Sequence, residues 1–131
     1  MIALDSSALI AILRKEDEGS AFQAVIAAAP AIIVGAPTLL EVKMVAIGRF
    51  GGADIEQSLA LFVPEGARVI AFDELHLSAA TTAFHRYGKR RHRASLNFGD
   101  CMAYAVAKIA GCPLLYKGEG FAATDIRSAL A

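Results

Sequence analysis

Three acids far apart in the chain, Asp5, Glu41 and Asp100, each stand where an apolar stretch meets a helix start. Asp5 closes the run Met1 to Leu4, Glu41 sits in Pro-Thr-Leu-Leu-Glu-Val, and Asp100 opens Asp-Cys-Met-Ala-Tyr-Ala-Val-Ala-Lys. Brought together, they would form one carboxylate pocket. Two unit charges about 4 Å apart repel by roughly 4 kcal/mol at an effective dielectric of about 20, so such a pocket persists only with a cation or with protonation. No Cys or His accompanies the acids at metal-ligand spacing. A hard divalent ion, Mg²⁺ or Mn²⁺, therefore suits the donor set better than zinc.

Each acid also has a structural use. Thr38 followed by Glu41 matches a capping box, Asn97 followed by Asp100 places an acid against a helix dipole, and Asp5 can cap a helix starting near Ser6 or Ser7. Their combination argues for a site, because ligands of open parallel sheets bind beyond the carboxyl ends of the strands, where Asp5 sits. Asp54 and Asp73 lack that context and read as ordinary caps. His76 and His85 read as helix-surface residues, and Cys101, inside an apolar helix with no adjacent His, reads as core.

The elements that must position the acids alternate between short β-rich runs and longer helix-period segments, the pattern of an α/β fold with a parallel sheet. Strands are expected at Ile2 to Leu4, Ala31 to Val34, Arg68 to Phe72 and Pro113 to Tyr116. Ala8, Leu9, Ile12 and Leu13 form one helical stripe. Phe22, Val25, Ile26 and Ala29 form another after the charged break at Lys15 to Glu18, giving a helical hairpin. A helix starting at Pro37 and Thr38 ends at Gly51 and Gly52, and one starting at Asp54 runs through Phe62. Two more run from about Glu74 to Tyr87 and from about Asn97 to Ile109, the last stopped by Gly111.

The 131 residues suit one domain, 1–131, and 56% hydrophobic residues supply its core. That apolar fraction is high enough to suggest a homodimer or a bound partner chain. The 13 basic and 13 acidic residues balance, so overall charge argues for no polyanion partner. Local charge does: Arg86, Lys89, Arg90, Arg91 and Arg93 cluster in a stretch from Leu75 to Gly99 that contains no acid. Lying just before Asp100, Lys89, Arg90, Arg91 and Arg93 would grip substrate phosphates near the metal. With two cysteines, no leader and no apolar run of the ~18 residues a membrane span needs, a cytoplasmic protein is expected.

Met-Ile-Ala-Leu-Asp-Ser-Ser-Ala-Leu, Glu41 and Leu-Asn-Phe-Gly-Asp-Cys-Met-Ala-Tyr-Ala together resemble a PIN-domain protein, and more narrowly the VapC toxins of bacterial toxin-antitoxin pairs. The resemblance covers nearly the whole chain, including Tyr-Gly-Lys before Asn97, Pro-Leu-Leu-Tyr-Lys-Gly and Thr-Asp-Ile; Asn-Phe-Gly-Asp-Cys is its specific part. It implies a three-layer α/β/α sandwich around a short, mainly parallel sheet, Mg²⁺-dependent endoribonuclease activity on cellular RNA, and a cognate VapB-type antitoxin. It also implies that Asp5 and Asp100 bind metal and that Glu41 is the acid on the helix between them. The fourth acid of the family falls at Gly120 here, with Glu119 and Asp125 as the candidate substitutes. In this reading Asp5 and Asp100 hold the ion while Glu41 orients or deprotonates water. Two alternatives stand beside it. One is a binding module for RNA or antitoxin, impaired in catalysis by Gly120. The other is a phosphotransferase with Asp5 as nucleophile, for which the expected second aspartate is Ser7.

Overall fold

The computed structural model of the chain describes residues 1–51, 55–60 and 63–130. In chain order it contains β1 (Ile2–Leu4), α1 (Ser6–Leu13), α2 (Gly19–Ala28), β2 (Ile32–Gly35), α3 (Ala36–Phe50), α4 (Ile55–Ala60), β3 (Arg68–Ile70), α5 (Glu74–Tyr87), α6 (Phe98–Ala110), β4 (Leu114–Leu115) and a 3-10 turn at Phe121–Ala123. The strands pair in the order β3-β2-β1-β4, every pair parallel.

The central strands are apolar without interruption because both faces of the sheet are covered. Successive side chains point to opposite faces. Ile2 and Leu4 of β1, with Ile32 and Val34 of β2, pack with α1, α2 and α3. Ala3 and Ile33 between them pack with α5 and α6. The result is the expected α/β/α sandwich. At the carboxyl end of β2, a Cβ on Gly35 would lie 2.9 Å from Val106 of α6, so the glycine lets that helix close on the sheet.

Several boundaries differ from those read in the sequence. β2 starts and ends one residue later than expected, and β4 shrinks to Leu114–Leu115 between β1 and a bridge to Ser128. β3 stops at Ile70, leaving Phe72 to set its ring 5.4 Å from that of His76. The expected start and end of α4, Asp54 and Phe62, lie outside the described residues.

Two local expectations are corrected. His76 is buried, 5% exposed, rather than on the helix surface. It is the third residue of α5: its Nδ1 accepts from Asp73 N–H at 3.3 Å and its own N–H donates to Asp73 Oδ1 at 3.3 Å, closing a capping box in which histidine takes the place usually held by Glu or Gln. The Thr38 and Glu41 capping box does not form. α3 begins earlier, at Ala36 after Gly35, with Pro37 in its first turn, where the missing N–H costs nothing. Thr38 becomes an interior, buried residue and Glu41 lies in the second turn. Asp73 caps α5 as expected.

The segment between α5 and α6 is tied by Lys89 N–H to Leu96 O and Leu96 N–H to Tyr87 O, each 2.9 Å. Its first residue, Gly88, donates its N–H to Phe84 O at 2.9 Å, and a Cβ there would stand only 2.3 Å from that oxygen. Gly88→Ala is expected to lower stability by about 1–3 kcal/mol through overpacking. Denaturant unfolding checks this, and an unchanged midpoint would contradict the close approach.

Candidate active site

Asp5, Glu41 and Asp100 arrive at the carboxyl end of the sheet by three different routes. Asp5 follows the last residue of β1, its backbone N–H held by Leu115 O of β4 at 2.9 Å. It caps α1, its Oδ2 accepting from Ser7 N–H at 3.0 Å and from the Ser7 hydroxyl at 2.5 Å. Asp100 is the third residue of α6 and closes a capping box with Asn97: Asn97 N–H donates to Asp100 Oδ2 at 3.0 Å, and Asp100 N–H to Asn97 Oδ1 at 2.9 Å. Glu41 reaches across from α3 to the first turn of α6, where a Cβ on Gly99 would lie 3.1 Å from its Oε1 and 3.4 Å from its Oε2. Capping and site formation are thus the same contacts for Asp5 and Asp100.

Asp5 and Asp100 each feel the charge of neighbouring acids. Burial raises Asp5 from 3.8 to about 6; the Ser7 bonds oppose this, and the charges of Asp100 and Glu41 add to it. Asp100, partly exposed, is also raised by burial, with Asn97 N–H opposing and Glu41 reinforcing. Buried negative charge of this kind is relieved by a cation. Among the described residues, no three Asp, Glu, His or Cys side chains stand close enough to form a ready-made metal cage. Mg²⁺ does not require one, since it usually keeps several waters and is held by one or two carboxylates. The all-oxygen donor set, with two raised carboxylates side by side, fits such an ion.

The remaining residues singled out in the sequence divide between places. Lys89, Arg90, Arg91 and Arg93 are all exposed on the loop that leads, through Leu96 and Asn97, into the first turn of α6. Asp125 is turned to the far end of α6, accepting from the Tyr104 hydroxyl at 2.6 Å and pairing with Lys108 at 2.7 Å. Glu119 is exposed. At Gly120 a Cβ would meet Ala94 O at 3.0 Å, so an aspartate there would require the backbone at the end of the basic loop to give by a few tenths of an ångström. Cys101 is buried beside Asp100, its thiol pushed up to about 11 by burial and by that charge, which makes it an inert core residue. Reading the sequence missed Ser7 and Gly99 as site residues. A glycine in the first turn of a helix is the signal for the second, since it costs stability unless something approaches closely.

The PIN domain family model matches residues 2–127. The chain belongs to the PIN-domain family. It is 38% identical over 125 residues to a protein of Mycolicibacterium smegmatis named Ribonuclease VapC, covering 95% of this chain and 97% of that one. To Ribonuclease VapC30 of Mycobacterium tuberculosis it is 40% identical over 126 residues, covering 95% of each. Among solved structures, Mycobacterium tuberculosis VapC20, described as a sarcin-ricin loop cleaving toxin, superposes with a TM-score of 0.76 at 18% identity over 96% of both chains. A toxin-antitoxin complex from Klebsiella pneumoniae gives 0.72 at 17% identity, covering 95% of this chain and 93% of that one. These two establish the shared fold. VapC ribonucleases of the PIN family are divalent-metal dependent in general.

The raised Asp5 of this PIN domain has a measurable consequence in metal-free protein. The folded form takes up its proton near pH 6 and the unfolded chain near 3.8, so stability falls as pH rises through that window and the loss is complete above it. Asp5→Asn removes the charge and is expected to raise stability in EDTA at pH 7.5 by up to about 3 kcal/mol, with a flatter pH profile between 4 and 6. Thermal melts across that range check it. A variant no more stable than wild type would show that Asp5 is not under electrostatic strain.

Proposed function

We infer that this PIN domain, residues 1–131, is an endoribonuclease and the toxin of a type II toxin-antitoxin pair, hydrolysing RNA phosphodiester bonds at Asp5, Glu41 and Asp100. The observation that carries this reading is the convergence of the three acids at the strand ends of a PIN fold, where burial first and the neighbouring acid charges second raise Asp5 and Asp100. Asp5 and Asp100 would hold Mg²⁺, or Mn²⁺, which have the same preference for oxygen. Such an ion, when bound, supplies Lewis-acid stabilisation of phosphoryl charge and a more acidic water. Glu41, less enclosed than the other two, orients the attacking water and takes its proton. Lys89, Arg90, Arg91 and Arg93 hold flanking phosphates. These cations position the RNA without choosing its sequence, so selectivity lies in the shape and unstacked bases of the target.

Gly120 does not favour the alternative of a silent binding module. The approach of Ala94 O makes glycine the easier residue there, and Asp5 and Asp100 remain raised in part by neighbouring acid charge without a fourth acid. Of the two candidate substitutes, Glu119 keeps the freedom to reach the site, whereas Asp125 is engaged by Tyr104 and Lys108.

Two apolar surfaces suit the partners of such a toxin. On α3, Leu40, Met44 and Ile47 are exposed at helical spacing on the element that carries Glu41. A VapB-type antitoxin segment laid along this stripe would cover the acids as it bound. Between α5 and α6 lies a second surface, a groove of about 490 Å³ lined by Leu77, Phe84, Phe98 and Met102 among others, with Phe98 82% exposed. A second copy of the chain is the occupant we assign to it, giving a homodimer. No helix among the described residues is long and apolar enough to cross a membrane, and both cysteines are free, which suits a protein acting on RNA in the cytoplasm.

Cleavage of a mixed cellular RNA pool by antitoxin-free protein tests the central reading. Discrete products are expected with Mg²⁺ and none with EDTA, and Asp100→Asn is expected to cut the rate by roughly 100-fold or more while keeping the fold. Undiminished cleavage by the variant would remove Asp100 from the mechanism. The surfaces separate in the same preparation. Met44→Glu should release the toxin from antitoxin inhibition at unchanged cleavage, and Phe84→Glu should halve the mass measured by light scattering. Retained inhibition or retained mass would exclude the corresponding surface.

A further inference from the structure

The Ser7 hydroxyl stands between Asp5 and a chain segment 110 residues away. Its oxygen is 2.9 Å from the backbone nitrogen of Lys117 and 2.5 Å from Asp5 Oδ2. A backbone N–H can only donate, so Ser7 Oγ must accept from Lys117, and its own proton is then directed at Asp5. The Ser7 backbone N–H bonds the same carboxylate oxygen at 3.0 Å. Both contacts fall on Oδ2, leaving Oδ1 as the Asp5 atom that carries neither. Lys117 is fixed in turn, its Nζ pairing with Glu16 and, at 2.9 Å, with Glu18 in the break between α1 and α2.

We propose that Ser7 is a positioning residue for the metal-binding carboxylate, its hydroxyl oriented by Lys117 so that Asp5 is clamped through Oδ2 and offers Oδ1 to the ion. The proposal rests on the reading of Asp5 as a metal ligand. It explains why the Lys117 to Gly120 segment bears on the site although position 120 carries no acid: the segment contributes a backbone donor that orients the carboxylate from behind. Hydrogen bonds to a ligating carboxylate fix its direction, and their removal typically costs 10–100-fold in metal affinity or activity.

Calorimetric titration of Mn²⁺ into wild type, Ser7→Ala, Ser7→Thr and Lys117→Ala tests the arrangement, with RNA cleavage followed at limiting and saturating Mn²⁺. Ser7→Ala is expected to weaken Mn²⁺ binding by roughly 10–100-fold and to recover most of its cleavage rate at saturating metal, because the acids themselves are intact. Ser7→Thr retains the hydroxyl and should bind within a few-fold of wild type. Lys117→Ala keeps the backbone N–H but frees the segment, and should weaken binding in the same direction by less; it also reads the relay should Ser7→Ala fail to fold. Mn²⁺ binding by a folded Ser7→Ala, or by Lys117→Ala where Ser7→Ala does not fold, equal to that of wild type overturns the positioning role while leaving Asp5 as a ligand. Absence of Mn²⁺ binding by wild type overturns the metal reading and the positioning role with it.

Discussion

Gathering like charges in a place largely withdrawn from water is the constraint on which the rest of this molecule depends. Asp5 is 3% exposed, and the strongest charges acting on it are those of Asp100 and Glu41, both of its own sign. Among the described residues, the interactions that oppose the raised pKa of Asp5 and Asp100 are hydrogen bonds from Ser7 and Asn97. Asp5 caps α1 and Asp100 closes the capping box that Asn97 opens on α6, so that Ser7 N–H and Asn97 N–H at the two helix starts are turned on the carboxylates. The compensation is incomplete, which leaves the pocket with an affinity for positive charge that stronger pairing would have removed.

The sandwich makes that position available. A parallel sheet covered on both faces puts all its strand ends, and hence its strand-to-helix junctions, on one side. β1 delivers Asp5 directly, α3 carries Glu41 across from β2, and α6 returns Asp100 over the other face. Two glycines set the distances: Gly35 lets α6 close on the sheet at Val106, and Gly99 leaves room for the Glu41 carboxylate against the first turn of α6. The cations are kept apart from the acids, on an exposed loop tied at its base by the Tyr87 and Leu96 hydrogen bonds. Had they paired with Asp5 or Asp100, they would have neutralised those acids.

The pattern of the sequence makes the architecture legible. Continuous apolar runs as short as Ile2–Leu4 and Ile32–Gly35 belong to strands buried on both faces, and the stripe of Ala8, Leu9 and Ile12 belongs to a helix against them; all are buried. Glycine and asparagine marked the ends of α6, where Asn97 caps and Gly111 takes the left-handed conformation. Short-range rules failed where two of them competed. Thr38 and Glu41 satisfy the spacing of a capping box, but Pro37 and the end of β2 set the cap of α3 three residues earlier, at Gly35, and Glu41 is free of that capping role. His76 is polar by type, yet its ring fills a buried space beside Phe72 and closes a cap.

The residues themselves, then, determine the class of fold, the candidate acids and the donor chemistry, because hydrophobic period and side-chain type are local properties. The closeness of Ser7 to Lys117, of Glu41 to Gly99 and of Gly120 to Ala94 is decided only in the tertiary structure. Each joins segments whose separation along the chain carries no periodic signal. Whether an acid caps, pairs or stays uncompensated depends on what the folded chain brings near it, and for Asp5 and Asp125 the folded chain brings opposite answers: burial and the charges of two other acids for one, a lysine at 2.7 Å for the other.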